Sequence, residues 1–384
     1  MTPAAPRNVS MAIGVFIDSQ ATDNSLVTVT NNKIEMKGVG DATQNGDFGV
    51  IGLSGKDTDK NLDLSITKNS FISDGDSGNT VVIYATDDDD DPVDNQVGDN
   101  RSSVSLVATD NEIKISGKGD LKTGVAGGTV LDMNILPVGE KLFYLEKAIV
   151  SRNNISIDIA DGAYVGISLG MIRQYSLIDN NLVNATSPAG SPFGIVVQDA
   201  EVDIINNTLN LAAPNAYIVI AIAFVDESFA VNYLDKQMGR VVNNIINLDD
   251  PICKGVGIYE AAFSLSPTPE MANLVSPTEV KNNDIYFGSC TPQRYYINQA
   301  TPMQVVLTLD DLNNKTNFDP NDISEISGNI ADAPDFIDLV NGNLQLNDGS
   351  PCIYAGLDLD GFWYDLLGSS RPQGGGFDIG AYEK

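Results

Sequence analysis

The chain has 384 residues, 42% of them hydrophobic, with 52 acidic residues against 22 basic ones and a formal net charge of −30. That balance argues against nucleic acid and anionic membrane surfaces as partners, because both are held by clustered Lys and Arg. The chain contains no histidine, which removes Ser-His, Cys-His and His-metal chemistry together.

Along the chain, no apolar run reaches the roughly 18–20 residues that a membrane-spanning helix needs. The first apolar run, Met11 to Ile17, reads as a strand rather than an export signal: Gly14 lies 18 residues before Asn32, much as Gly49 lies 20 before Asn69. From there one pattern recurs. Two β-branched or apolar residues lead into polar residues ending in Asn, and Ile, Leu or Phe follows after at most one more residue. The marks fall at Asn32, Asn69, Asn111, Asn153, Asn180, Asn207, Asn244, Asn283 and Asn329. Their intervals are 37, 42, 42, 27, 27, 37, 39 and 46 residues. The shortest, 27, is read as the bare repeat, and the longer ones as that repeat plus insertions of about 10–19 residues. Gly followed by alternating apolar residues forms a second mark at Gly14, Gly49, Gly166, Gly194 and Gly257. Helical signals are confined to short stretches, Pro269 to Leu274 and Thr308 to Leu312.

These features predict an all-β fold, a single-stranded right-handed parallel β-helix with loop insertions. Short alternating strands rich in Val, Ile, Leu and Thr place one set of side chains inside and the other outside. Asn at a fixed place between strands suits a bend, since it tolerates left-handed backbone angles, and stacked Asn side chains can hydrogen-bond from one repeat to the next. The repeats occupy residues 1–331. A segment rich in Gly, Pro and Asp, residues 332–384, is expected to cap the open sheet edge at the end of the solenoid.

The Asn-x-Ile and Gly-Ile-x-Leu alternation resembles the β-helix repeats of pectin-lyase-like and NosD-like proteins. The C-terminal stretch reads Ser350-Pro-Cys-Ile353, Ala355-Gly356, Arg371-Pro372 and Asp378-Ile-Gly-Ala-Tyr-Glu383. It resembles the closing block of secreted bacterial β-helix proteins that carry varied C-terminal surface anchors. The resemblance implies an extracellular or cell-surface location.

Candidate sites are few. The run Asp87, Asp88, Asp89, Asp90 and Asp91 offers carboxylates to calcium, the one candidate ion, although it lacks the alternating spacing and Gly of an EF-hand. Cys253 lies 9 residues after Asn244 and Cys290 lies 7 after Asn283. Similar phases in adjacent repeats, at a strand spacing of about 4.8 Å, put the pair within disulfide reach. Cys352 is expected to be a buried apolar residue of the cap. Lyase chemistry needs a base and positive charge, for which only Arg152 and Arg173 are loose candidates. Hydrolase chemistry needs two facing carboxylates, for which Asp249-Asp250 and Asp310-Asp311 are the adjacent pairs. The expected function is an extracellular structural or adhesive protein, a stalk, sheath, filament subunit or glycan-binding adhesin. Its partners would be further copies of itself or surface glycans. The alternative is a polysaccharide lyase or glycoside hydrolase acting on an acidic glycan.

Overall fold

The computed structural model describes residues 11–19, 24–37, 46–54, 61–76, 79–87, 103–128, 145–188, 190, 192–227, 239–248, 253–263, 276–299, 303–316 and 323–384. The described chain is nearly all β, and its long sheets are parallel. The run Met11 to Ile17 lies inside the strand Met11–Ser19, which pairs in parallel with Gly46–Ser54. In Asn61–Thr67 the alternation is clear: Leu62, Leu64 and Ile66 are buried while Asn61 and Asp63 face solvent. The pleat sends successive side chains to opposite faces, so such a strand supplies one wall of a core.

One sheet stacks nine strands, from Ser25–Thr30 to Glu325–Ser327, each paired with the corresponding strand of the next repeat. The other has sixteen strands among the described residues, is strongly curled, and is parallel except for the antiparallel pair Tyr296–Asn298 and Gln304–Val306 at its end. Its curl is visible within the single strand Glu112–Gly127. Residues 112–116 pair with Ser70–Asp74, whereas residues 121–127 pair with Asn79–Asp87. Apolar side chains from both sheets form one continuous core running from Val29 to Ile326.

Between the two sheets the chain turns through an Asn ladder. Asn153 shows the pattern: its Nδ2 donates to Asn181 Oδ1 at 2.9 Å and to Ala108 O at 2.8 Å. Its Oδ1 accepts from Asn111 N at 3.1 Å and Asn111 Nδ2 at 2.9 Å. All four hydrogen-bonding valences of the buried amide are thereby satisfied. The same arrangement links Asn32, Asn69, Asn111, Asn153, Asn181, Asn207, Asn244, Asn283 and Asn329.

The ladder corrects the sequence reading at one rung. Asn181 is the member there, and Asn180 is not. Asn180 has φ 52° and occupies the left-handed position just before the ladder, like Asn206, Asn243 and Asn282 in later rungs. The bend therefore falls on the residue preceding each ladder Asn. That residue is Lys68, Asp110, Arg152 or Gly328 in other rungs, so the position does not demand Asn. With Asn181 in place, the two shortest steps become 28 and 26 residues.

Glycines also mark one column of the large sheet where neighbouring backbones pass close. A Cβ on Gly166 would lie 2.6 Å from Gly194 O and 2.7 Å from Val183 Cγ1, and one on Gly194 would lie 2.6 Å from Ala221 O. Gly49 and Gly257 are equally crowded, and Gly124 belongs to the same column. None of these glycines needs a positive φ; each is small because the neighbouring backbone passes too close for a side chain. Gly166→Ala is expected to destabilise the protein by about 1–3 kcal/mol through overpacking, read as a lowered thermal midpoint.

The ladder's last amide is met by the short helix Leu309–Asn314. Asn329 donates its N–H and Nδ2 to Asn313 Oδ1 at 3.1 and 2.9 Å, and Asn313 Nδ2 returns a bond to Asn329 O at 2.9 Å. Leu312 of this helix is buried in the core. The C-terminal segment has a different place. Its contacts run along the side of the stack, from Asn180 through Thr208 and Asn243 to Asn282. It follows the turn between the sheets rather than the end of the ladder.

Candidate functional site

The residues that could carry chemistry are held by structural partners. Arg152 lies in a left-handed turn and grips Asp110 with Nε at 2.7 Å and Nη2 at 3.0 Å. That bidentate hydrogen bond holds the guanidinium's pKa above its ordinary value. Arg173 faces Glu146 at 3.7 Å. Arg240 binds Asp203 through Nε at 2.9 Å and Nη2 at 2.6 Å, and the same carboxylate accepts from Tyr175 OH at 2.8 Å. Burial first, and then the charge and hydrogen bond of Asp203, raise the Tyr175 pKa above its usual value. None of these guanidiniums stands ready to neutralise a uronate without first leaving a carboxylate.

The acidic candidates divide. Asp249-Asp250 and Asp88 to Asp91 lie outside the described residues, and Asp87 is described only through its backbone at the end of the strand Asn79–Asp87. Asp311 lies in the first turn of the short helix: its N–H donates to Thr308 Oγ1 at 3.0 Å, and its carboxylate accepts from Thr308 Oγ1 at 2.7 Å and Thr316 Oγ1 at 2.9 Å. Thr308 is the N-cap, and the Asp311 carboxylate is held by the two threonine hydroxyls. Among the described residues, no group of three or more Cys, Asp or Glu is placed to hold a metal ion. No described helix is long and apolar enough to cross a membrane.

Cys253 and Cys290 are joined in a disulfide with their Cα atoms 4.9 Å apart. The bond ties the segments that follow Asn244 and Asn283, two successive rungs. Cys352 is a free, buried thiol.

Two buried polar groups escaped the sequence reading. The first is Glu260, which takes an interior position directly below Phe224 in the curled sheet. Its carboxylate accepts from Tyr296 OH, from Asn298 Nδ2 at 2.5 Å and from Ser276 Oγ at 3.2 Å. All three donors are neutral and buried. The second lies under the C-terminal segment. Asp284 Oδ2 accepts from Cys352 Sγ at 3.1 Å, while Asp284 Oδ1 has no hydrogen-bond partner among the described residues. Burial pushes the Asp284 pKa up to about 7; the Cys352 bond opposes that rise, and Asp332 acts both ways, its charge adding to the rise and its backbone hydrogen bond opposing it. The Cys352 thiol is pushed up as well, first by burial and then by Asp284, so it is not an activated nucleophile.

The same segment contains a buried ionic knot built from the residues of the closing motif. Arg371 donates Nη1 to Glu383 Oε2 at 2.9 Å and to Asp378 O at 3.0 Å, and Nη2 to Gly380 O at 2.6 Å and Asn180 Oδ1 at 3.2 Å. Glu383 also accepts backbone N–H bonds from Gln373 and Asp378, and Asp365 accepts from Leu367, Ser369 and Glu383. Burial lowers the Arg371 pKa and raises that of Glu383, each partly offset by the other's charge. The motif's Arg, Asp and Glu are thus spent on holding the segment's own backbone and docking it on the rung of Asn180.

Comparison with known proteins returns no match to a family model, to a curated protein or to a solved structure.

Proposed function

We propose that the chain is a right-handed parallel β-helix and serves as an extracellular or cell-surface structural or adhesive protein, a rod that associates with further copies of itself or with surface glycans. The observation that carries this reading is the unbroken Asn ladder, whose buried amides leave no valence for a ligand along their length. Nine rungs at about 4.8 Å spacing correspond to a rod on the order of 45 Å long. The basic residues weighed for lyase chemistry are each set against a carboxylate, which also favours a scaffold over a lyase.

The test joins electron microscopy with a panel of acidic and neutral polysaccharides. Rod-shaped particles or filaments, with glycan retention and no release of reducing ends or unsaturated sugars, are the expected result. Release of either product at a catalytic rate would overturn the reading in favour of a lyase or hydrolase.

A further inference from the structure

We propose that the C-terminal segment is a pH-sensitive latch on the side of the stack, closed when Asp284 is protonated and loosened when it ionises. The geometry comes first. Asp284 stands in the strand Asp284–Tyr286, in register with Ile245 of the strand Ile245–Asn247. Ile245 is buried together with Leu346, Cys352 and Ile379 of the C-terminal segment. Asp284 therefore puts a carboxyl group where the neighbouring rung has an isoleucine. It is fully buried, its Oδ1 has no hydrogen-bond partner among the described residues, and the side chain bonded to its Oδ2 is a thiol, a weak donor, with the Asp332 backbone nearby.

The groups facing Asp284 offer no positive charge. From the C-terminal side they are Cys352 and Asp332, with Ser350 and Asp378 beyond the thiol; from the stack side it is Tyr295. Lys384 and Arg371 are engaged elsewhere, Lys384 with Asp348 and Leu346 O, Arg371 with Glu383. An ionised Asp284 would thus be a buried charge without a cation, and releasing the segment would hydrate it.

The sign follows from linkage. The docked state raises the carboxyl pKa, so docking is strongest at low pH and weakens as the pH climbs towards 7, beyond which no more is lost. Opening would uncover the apolar strip of Ile205, Val242 and Ile245, now covered by Leu359, Phe377, Leu346 and Ile379. On a rod, that strip is a surface for side-by-side association.

Cys352 supplies the probe, because it is the one cysteine outside the disulfide. Its rate of alkylation in the native protein, divided by the rate of a free model thiol at the same pH, reports the open population. That ratio is expected to rise about 30-fold between pH 5.5 and pH 8.5 in the wild type. It should stay flat in Asp284→Asn. Limited proteolysis at the higher pH should cut within residues 332–384 before any cut in the stack. A flat wild-type ratio, an equal rise in Asp284→Asn, or cuts spread evenly through the stack would each overturn the latch. Because the wild-type series stands alone, the test survives a variant that fails to fold. It also reads out independently of whether the protein binds glycans.

Discussion

Asn207→Ala is expected to destabilise the protein by about 3–6 kcal/mol, while Asn206→Gly, one residue earlier, costs about 1 kcal/mol or less. The two are adjacent buried residues of the same type, yet their roles are opposite. Asn207 Oδ1 accepts from Asn181 N at 2.9 Å and Asn181 Nδ2 at 3.0 Å, and Asn207 Nδ2 donates to Ile178 O at 2.9 Å. Alanine would leave two buried donors and one buried acceptor without partners, each costing about 1–3 kcal/mol. Asn206 has φ 55° and its side-chain amide has no hydrogen-bond partner among the described residues. Glycine adopts that backbone freely and removes an amide that contributes no bond. Asn207→Asp gives a pH signature. It keeps the acceptor but turns a carboxylate towards Ile178 O and Asn244 Oδ1, so the folded state holds its pKa above the unfolded value. Its deficit should shrink as the pH falls and the acid becomes neutral. Urea unfolding of the three variants at two pH values checks all of this. Equal losses at positions 206 and 207 would contradict the ladder assignment.

The second large effect is expected at the ionic knot. Arg371→Met should cost about 3–5 kcal/mol, because it leaves Glu383 buried without its cation. The loss should appear first as detachment of the C-terminal segment, since the stack keeps its own ladder and core. Arg371→Lys should recover less than half of it. The guanidinium reaches Glu383, Asp378 O, Gly380 O and Asn180 Oδ1 at once, and an ammonium cannot reproduce that fork. Proteolysis of the segment compared with far-UV circular dichroism of the stack separates local from global loss. A wild-type-like Arg371→Met would show that the knot contributes little to docking.

Much of this architecture was legible in the sequence, because a repeat states the same local requirement many times. Apolar alternation located the strands, and recurrent Asn located the turn between sheets. The Gly marks located a column of close backbone approach in the larger sheet, with Gly124 missed because Val125, Ala126 and Gly127 follow it rather than alternating large apolar residues. At Asn180-Asn181 the reading slipped by one residue. Two adjacent Asn look alike, and only hydrogen bonds to the rungs on either side distinguish the left-handed residue from the ladder member.

What the sequence determined by itself was therefore periodic and local: strand spacing, the turn chemistry and the acidic, histidine-free composition. The tertiary structure decided what depends on contacts distant in the chain. It laid the C-terminal segment along the side of the stack, joining Arg371 to Asn180 across 191 positions, and gave the end of the ladder to Asn313. It also buried Asp284, which in the sequence is one more polar residue after Asn283. Burial and hydrogen-bond partnership belong to the folded environment of a residue rather than to its neighbours in sequence, and the same carboxylate that would be solvated on a free strand becomes an unpaired group beneath the docked segment.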